Sequence, residues 1–133
     1  MKREIVARVE DLMFRAKIDA AARHLDVAVK YAAAPGDLAR ACETKPAAVF
    51  IELTPASVEE VSRLKRSASG RDVPIVGFLP HVDTDLAEKA RAAGADRVLS
   101  RSQFSESLPD LILDFTSPGV ERMVEEEPEL PEE

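Results

Sequence analysis

The sequence predicts a doubly wound α/β domain: a five-stranded parallel sheet with helices on both faces, for which the order 2-1-3-4-5 is one of the common solutions. Three observations point there. Short apolar runs alternate five times with amphipathic stretches. The middle run, AAVFIELTP over Ala47–Pro55, is apolar on both faces, as a strand covered by helices on each side must be. That run ends in an acidic residue, Glu52, at the carboxyl end of a central strand, where open α/β sheets place their chemistry.

The elements follow in order. Ile5–Val9 is the first strand. Asp11 to about His24 is a helix with Phe14, Ile18, Ala21, Ala22 and Leu25 at helical spacing. Val27–Ala32 is the second strand, with Val27, Val29 and Tyr31 on one side. Pro35-Gly36-Asp37 turns the chain into a short helix that runs to about Glu43. Ala47–Leu53 is the third strand. The next helix, Ser57–Ser67, carries Val58, Val61 and Leu64 along one stripe and stops at Gly70. Pro74–Leu79 is the fourth strand. The helix Asp83–Ala93 ends at Gly94, which is expected to take a left-handed cap. Arg97–Ser100 is the fifth strand. Gln103–Phe115 is the last helix, turning Phe104, Leu108, Leu111, Ile112 and Phe115 inward, with Pro109 predicting a kink or a late start.

Charge divides the 133 residues unevenly. The net charge is −7, but residues 117–133 hold seven Glu and one Arg, a net of −6. Residues 1–116 hold 17 basic and 18 acidic side chains, a net of −1. The domain expected over 1–116 is therefore nearly neutral, and no basic field points to nucleic acid. The stretch 117–133, rich in Pro and Glu, is read as a disordered acidic tail. Its Val120, Met123, Val124 and Leu130 offer contacts to a partner. Alternatively, it folds back on a basic patch such as Arg63, Lys65 and Arg66. Cys42 is the lone cysteine, so no internal disulfide forms, and among helix formers it reads as an inert thiol. MKREIVARVE lacks the apolar core of a signal peptide, and no run approaches the ~20 apolar residues that span a bilayer. A cytoplasmic setting without membrane contact is expected.

The acidic pair Glu10-Asp11, AAVFIELTP, VPIVGFLPH and above all AGADRVLSRSQF carry a resemblance. The last is similar to the AGADDYLxKPF pattern of response-regulator receiver domains, and the likeness extends over residues 4–116. It implies the flavodoxin-like order 2-1-3-4-5 among the arrangements the pattern allows. It also implies a phosphoacceptor pocket. In receivers, two acids after the first strand and an aspartate after the third bind Mg²⁺, and that aspartate takes a phosphoryl group. A Ser/Thr after the fourth strand and a Lys after the fifth hold the phosphate oxygens, and an aromatic residue on the fifth strand reports the change.

Carried over residue by residue, the pocket is degenerate. Glu52 stands at the aspartate position; its carboxylate is one methylene further out, a displacement of a kind that costs about a hundredfold in rate. Leu79 replaces the hydroxyl residue, Arg101 the Lys, Ser102 the usual Pro and Val98 the aromatic switch. The acids align as Glu10-Asp11 or, one residue earlier, as Val9-Glu10. Glu52 and Arg101 either pair across the pocket mouth, imitating the Lys–phosphoaspartate contact, or stand apart in solvent. Glu10, Asp11 and Glu52 are oxygen ligands of the type magnesium takes, but magnesium also draws on substrate phosphate, and no metal or other cofactor is expected. His24 reads as a helix-terminal cation and His81 as a loop residue. No G-x-G-x-x-G after the first strand, P-loop or D-x-H-x-x-G signature occurs.

The resemblance thus implies a phosphorylation-independent pseudo-receiver, not an enzyme, that recognises another signalling protein in a bacterial-type pathway. The expected docking face is that of the fourth helix, fifth strand and fifth helix: Asp85, Glu88, Lys89, Arg91, Arg97, Ser100 and Gln103. A homodimer is compatible with the same face. No DNA-binding effector domain is expected after the acidic tail. The alternative function is a receiver-like domain still regulated by metal, small ligand or atypical phosphorylation at Glu10, Asp11 and Glu52.

Overall fold

The computed structural model describes residues 4–34 and 36–117. Pro35 and the segment 118–133, with Val120, Met123, Val124 and Leu130, lie outside the described residues. Five strands, β1 (Glu4–Arg8), β2 (Ala28–Tyr31), β3 (Ala48–Glu52), β4 (Ile75–Leu79) and β5 (Arg97–Ser100), alternate with five helices. The helices are α1 (Leu12–His24), α2 (Asp37–Ala41), α3 (Pro55–Arg66), α4 (Thr84–Ala93) and α5 (Arg101–Thr116). One turn of 3-10 helix, Cys42–Thr44, follows α2. All strand pairs are parallel, and their order is β2-β1-β3-β4-β5. This is the predicted arrangement.

Burial follows from position in the sheet. The inner strands β1, β3 and β4 are buried over their first four residues, whereas the edge strands β2 and β5 begin exposed and stay half-buried. Strand residues alternate between two cores. Ile5, Ala7, Ala48, Phe50, Val76 and Phe78 face α1 and α5. Val6, Val49, Ile51 and Ile75 face the side covered by α2, α3 and α4.

The first core is built on four phenylalanines. Phe78 stacks on Phe104 at 4.3 Å between centroids, Phe14 lies 4.7 Å from Phe78, and Phe50 meets Phe104 edge-on at 5.5 Å. In the second core, Gly77 has a packing role. A Cβ there would come within 2.8 Å of the Leu53 side chain, so the missing methyl lets fully buried Leu53 close over β4.

Helix ends depart from expectation where side chains intervene. α3 begins two residues early because Thr54 and Ser57 form a reciprocal capping box. It ends before Gly70: Ser67 turns extended, donates its hydroxyl to Leu64 O and accepts from the Gly70 amide. α5 shows no late start. Ser100 and Gln103 cap it reciprocally, so it begins at Arg101 and continues through Pro109 to Thr116. Gly94 closes α4 at φ +120°, its amide bonding to Ala90 O and Arg91 O.

Candidate functional site

The parallel sheet brings the expected pocket residues to one edge. Glu52 ends β3, Leu79 ends β4, Glu10 and Asp11 follow β1, and Arg101 follows β5. Each acid already has a partner. Glu52 Oε1 accepts from the backbone amides of Glu10 (2.9 Å) and Asp11 (3.3 Å). The Glu52 carbonyl accepts from Ser57 Oγ at 2.8 Å. Asp11 caps α1, its Oδ1 accepting from the amides of Met13 (2.9 Å) and Phe14 (3.3 Å). Glu10 Oε2 lies 3.4 Å from Arg8 Nη1. Together these contacts hold the β1–α1 loop against the end of β3. Among the described residues, no group of three or more His, Cys, Asp or Glu side chains is placed to hold a metal ion.

Of the two alternatives for Glu52 and Arg101, the pairing does not form. Arg101 Nη1 donates to Pro80 O at 3.4 Å, and its guanidinium lies 5.1 Å over the Phe14 ring. The reason is local: Glu52 is engaged by two amides from the β1 side, while α5 begins at Arg101 and aims the side chain across the β4 side. Leu79 and Val98 are half-buried and pack against the α2–α3–α4 core, so neither a hydroxyl nor an aromatic ring stands at those places. Three large apolar side chains in the segments that follow β1 and β4 are exposed, Leu12 75%, Met13 59% and Val82 89%.

A second charged arrangement at this end was not anticipated from sequence. Arg8, the last residue of β1, clasps Glu60 of α3 through two bonds, Nε–Oε1 at 3.0 Å and Nη2–Oε2 at 3.3 Å. The side chains are only 13% and 5% exposed. The bond to Glu60 is the main cause of a raised Arg8 pKa; burial opposes it, and Glu10 adds to it. The pair ties β1 to α3 and reaches the loop through Glu10. Two signals were available: a charge inside an apolar run, and Glu60 on the same helical stripe as Val61 and Leu64.

The expected partner face is divided. Glu88, Arg91, Ser100 and Gln103 line a groove of about 650 Å³ between α4, β5 and the start of α5, over Ala87 and Val98. Ser100 and Gln103 also cap α5, so part of their polarity is already engaged. Asp85 is exposed in the first turn of α4, outside the groove. Lys89 faces the opposite side of α4, toward α3. Arg97 lies 3.8 Å from Asp114 and 5.4 Å over the Phe115 ring. His81 borders the groove; His24 ends α1, exposed and remote from it. Cys42 is fully buried, and desolvation pushes its thiol pKa up to about 11. The basic patch expected from Arg63, Lys65 and Arg66 loses its middle member, since Lys65 Nζ donates to Val73 O (3.0 Å) and Asp96 (3.2 Å).

No family model matches the chain. No curated protein matches it. Solved structures do. The chain is similar to the receiver domain of a sensor histidine kinase from Pseudomonas aeruginosa, solved with magnesium in its active-site cleft, at 18% identity and a TM-score of 0.73; the match covers 89% of this chain and 100% of that one. A response regulator from Hahella chejuensis matches at 16% identity and a TM-score of 0.75, over 87% of this chain and 96% of that one. A chemotaxis response regulator of Vibrio cholerae matches at 15% identity and a TM-score of 0.68, over 85% and 100%. The likeness establishes the receiver fold. Among the described residues no helix is long and apolar enough to cross a membrane.

Proposed function

We propose that this chain is a pseudo-receiver: a non-enzymatic interaction module of bacterial-type signalling that works without phosphoryl transfer. One observation carries the reading. The carboxylate at the acceptor position, Glu52, holds the amides of Glu10 and Asp11 and so serves as a loop clasp. Both bonds fall on Oε1, which fixes the orientation of the carboxylate toward the β1–α1 loop, and a phosphoryl group on Oε2 would turn Oε1 from a charged acceptor into a weaker neutral carbonyl. At the neighbouring positions that phosphoryl group would meet Leu79, which offers no donor, and a cation already turned toward Pro80. The supporting domain division is a receiver-like unit over 1–116 followed by an acidic segment over 117–133.

Recognition of another signalling protein, or of a second copy, is assigned to the groove of α4, β5 and α5. Its floor of Ala87 and Val98 is apolar and its rim is polar, the composition of a docking patch. With valine at the switch position, the face presents one surface and does not toggle by burying a ring. A cytoplasmic location follows from this role.

Beryllofluoride or acetyl phosphate with Mg²⁺ tests the proposal by amide NMR. Unchanged signals from residues 8–12, 52 and 98–103 are expected. Shifts on addition of Mg²⁺ alone, or a stoichiometric acyl phosphate, would establish the ligand-regulated alternative in its place.

A further inference from the structure

We propose that the acidic segment 118–133 docks on this domain, in the groove between α3 and α4. That groove, about 440 Å³, carries three cations, Arg63, Arg66 and Lys89, against one acid, Glu59. Glu59 neutralises little: its carboxylate is 4.0 Å from Arg63 and largely exposed. Arg66 donates to Ser62 Oγ, a neutral partner, at 2.7 Å. Lys89 forms no ion pair among the described residues. Val58, Ala92 and Ala93 give the groove an apolar floor. By contrast, the α4–β5 groove sets Arg91 and Arg101 against Asp83 and Glu88 and offers no net charge.

The occupant is chosen by charge and reach. Residues 118–133 hold Glu at 121, 125, 126, 127, 129, 132 and 133 against Arg122, a net of −6. Val120, Met123 and Val124 supply apolar contacts of a size suited to an alanine and valine floor. α5 runs antiparallel to the strands, so the chain leaves at Ser117 on the edge opposite the Glu52 site. The last turns of α3 and α4, with Arg66 and Ala93, end on that same edge. Sixteen extended residues reach about 55 Å, beyond the roughly 35 Å breadth of a domain of this size. The groove is a short path around the β5 edge. Docking there leaves the α4–β5 groove open and does not depend on its proposed role.

The test places a nitroxide at Pro131→Cys in the full chain, with Cys42 buried and its thiol protonated. Amides of residues 59–66 and 89–93 should lose most of their intensity in dilute, low-salt solution. Ionic strength near 1 M, where the Debye length is ~3 Å, should restore them. So should Arg63→Glu, Arg66→Glu and Lys89→Glu combined; all three side chains are exposed, and salt gives the same readout if that variant misfolds. Loss of signal at residues 98–103 instead, uniform loss, no loss, or loss that disappears on dilution would overturn the proposal.

Discussion

The two ends of the Glu52 edge differ in what their polar groups do. Around β1 and β3 the polar groups are consumed internally: Glu52 holds two amides, Asp11 caps α1, and Arg8 clasps Glu60 while reaching Glu10. Around α4 and β5, Glu88 and Arg91 stand exposed at the rim of an open groove floored by small apolar side chains. The Glu52 carboxylate is held in place by the protein's own backbone through Oε1. A rim charge with no internal duty is free to select a partner. The difference identifies the first region as architecture and the second as surface.

The comparison breaks most visibly at the Arg8–Glu60 pair. Glu60→Ala should lower stability by about 3–5 kcal/mol, because it leaves a buried guanidinium without its anion. Replacing both partners with apolar residues, Arg8→Met with Glu60→Leu, should recover most of that loss in urea denaturation. If the single variant proves nearly neutral, the acidic end is not held together by its charges. Phe104→Ala, in the opposite core, should cost a similar ~3–5 kcal/mol and serves as the reference for a purely apolar loss.

A smaller effect is expected at the clasp. Glu52→Ala removes an acceptor from two amides and should cost about 1–2 kcal/mol, with faster hydrogen exchange at Glu10 and Asp11. Glu52→Asp should not confer phosphorylation by acetyl phosphate, as Leu79 and Arg101 are unchanged; a phosphorylated E52D would show that the methylene alone silences the site. At the groove, Val98→Tyr should change stability by less than about 1 kcal/mol yet weaken capture of any partner there.

Alkaline pH provides the gentlest test. The Cys42 thiol has a folded pKa of about 11, above its ordinary 9.0. A raised thiol pKa means the folded state holds its proton more tightly. The associated stability is therefore complete below pH 9 and declines as pH rises from about 9 toward 11. Cys42→Ala should flatten that decline in denaturation curves recorded across this range.

The legible parts of the molecule were those written in local pattern. Phe14, Ile18 and Ala22 repeat at helical spacing and are buried in α1. The two-faced apolar run of β3 announced a central strand. Positions of Glu10, Asp11, Glu52, Leu79 and Arg101 at one edge also followed, since a parallel sheet collects all strand ends. Their contacts did not follow. Glu52 chose amides 41 and 42 residues away in sequence over Arg101, 49 residues away, and nothing in either neighbourhood encodes that choice. Lys65 was misplaced for the same reason: Asp96 and Val73 O, supplied by other elements, draw it out of the basic patch.

Helix faces and the residue types carried by each strand, Leu79 on β4 and Val98 on β5 among them, were settled by the amino-acid sequence, because periodicity and side-chain chemistry are properties of neighbouring residues. Tertiary structure alone decided that Arg8 meets Glu60, that Glu52 clasps the loop and that three cations converge between α3 and α4. Those outcomes depend on distances between segments remote in the chain, and a charge selects among competing partners only when the fold has brought them within a few ångströms.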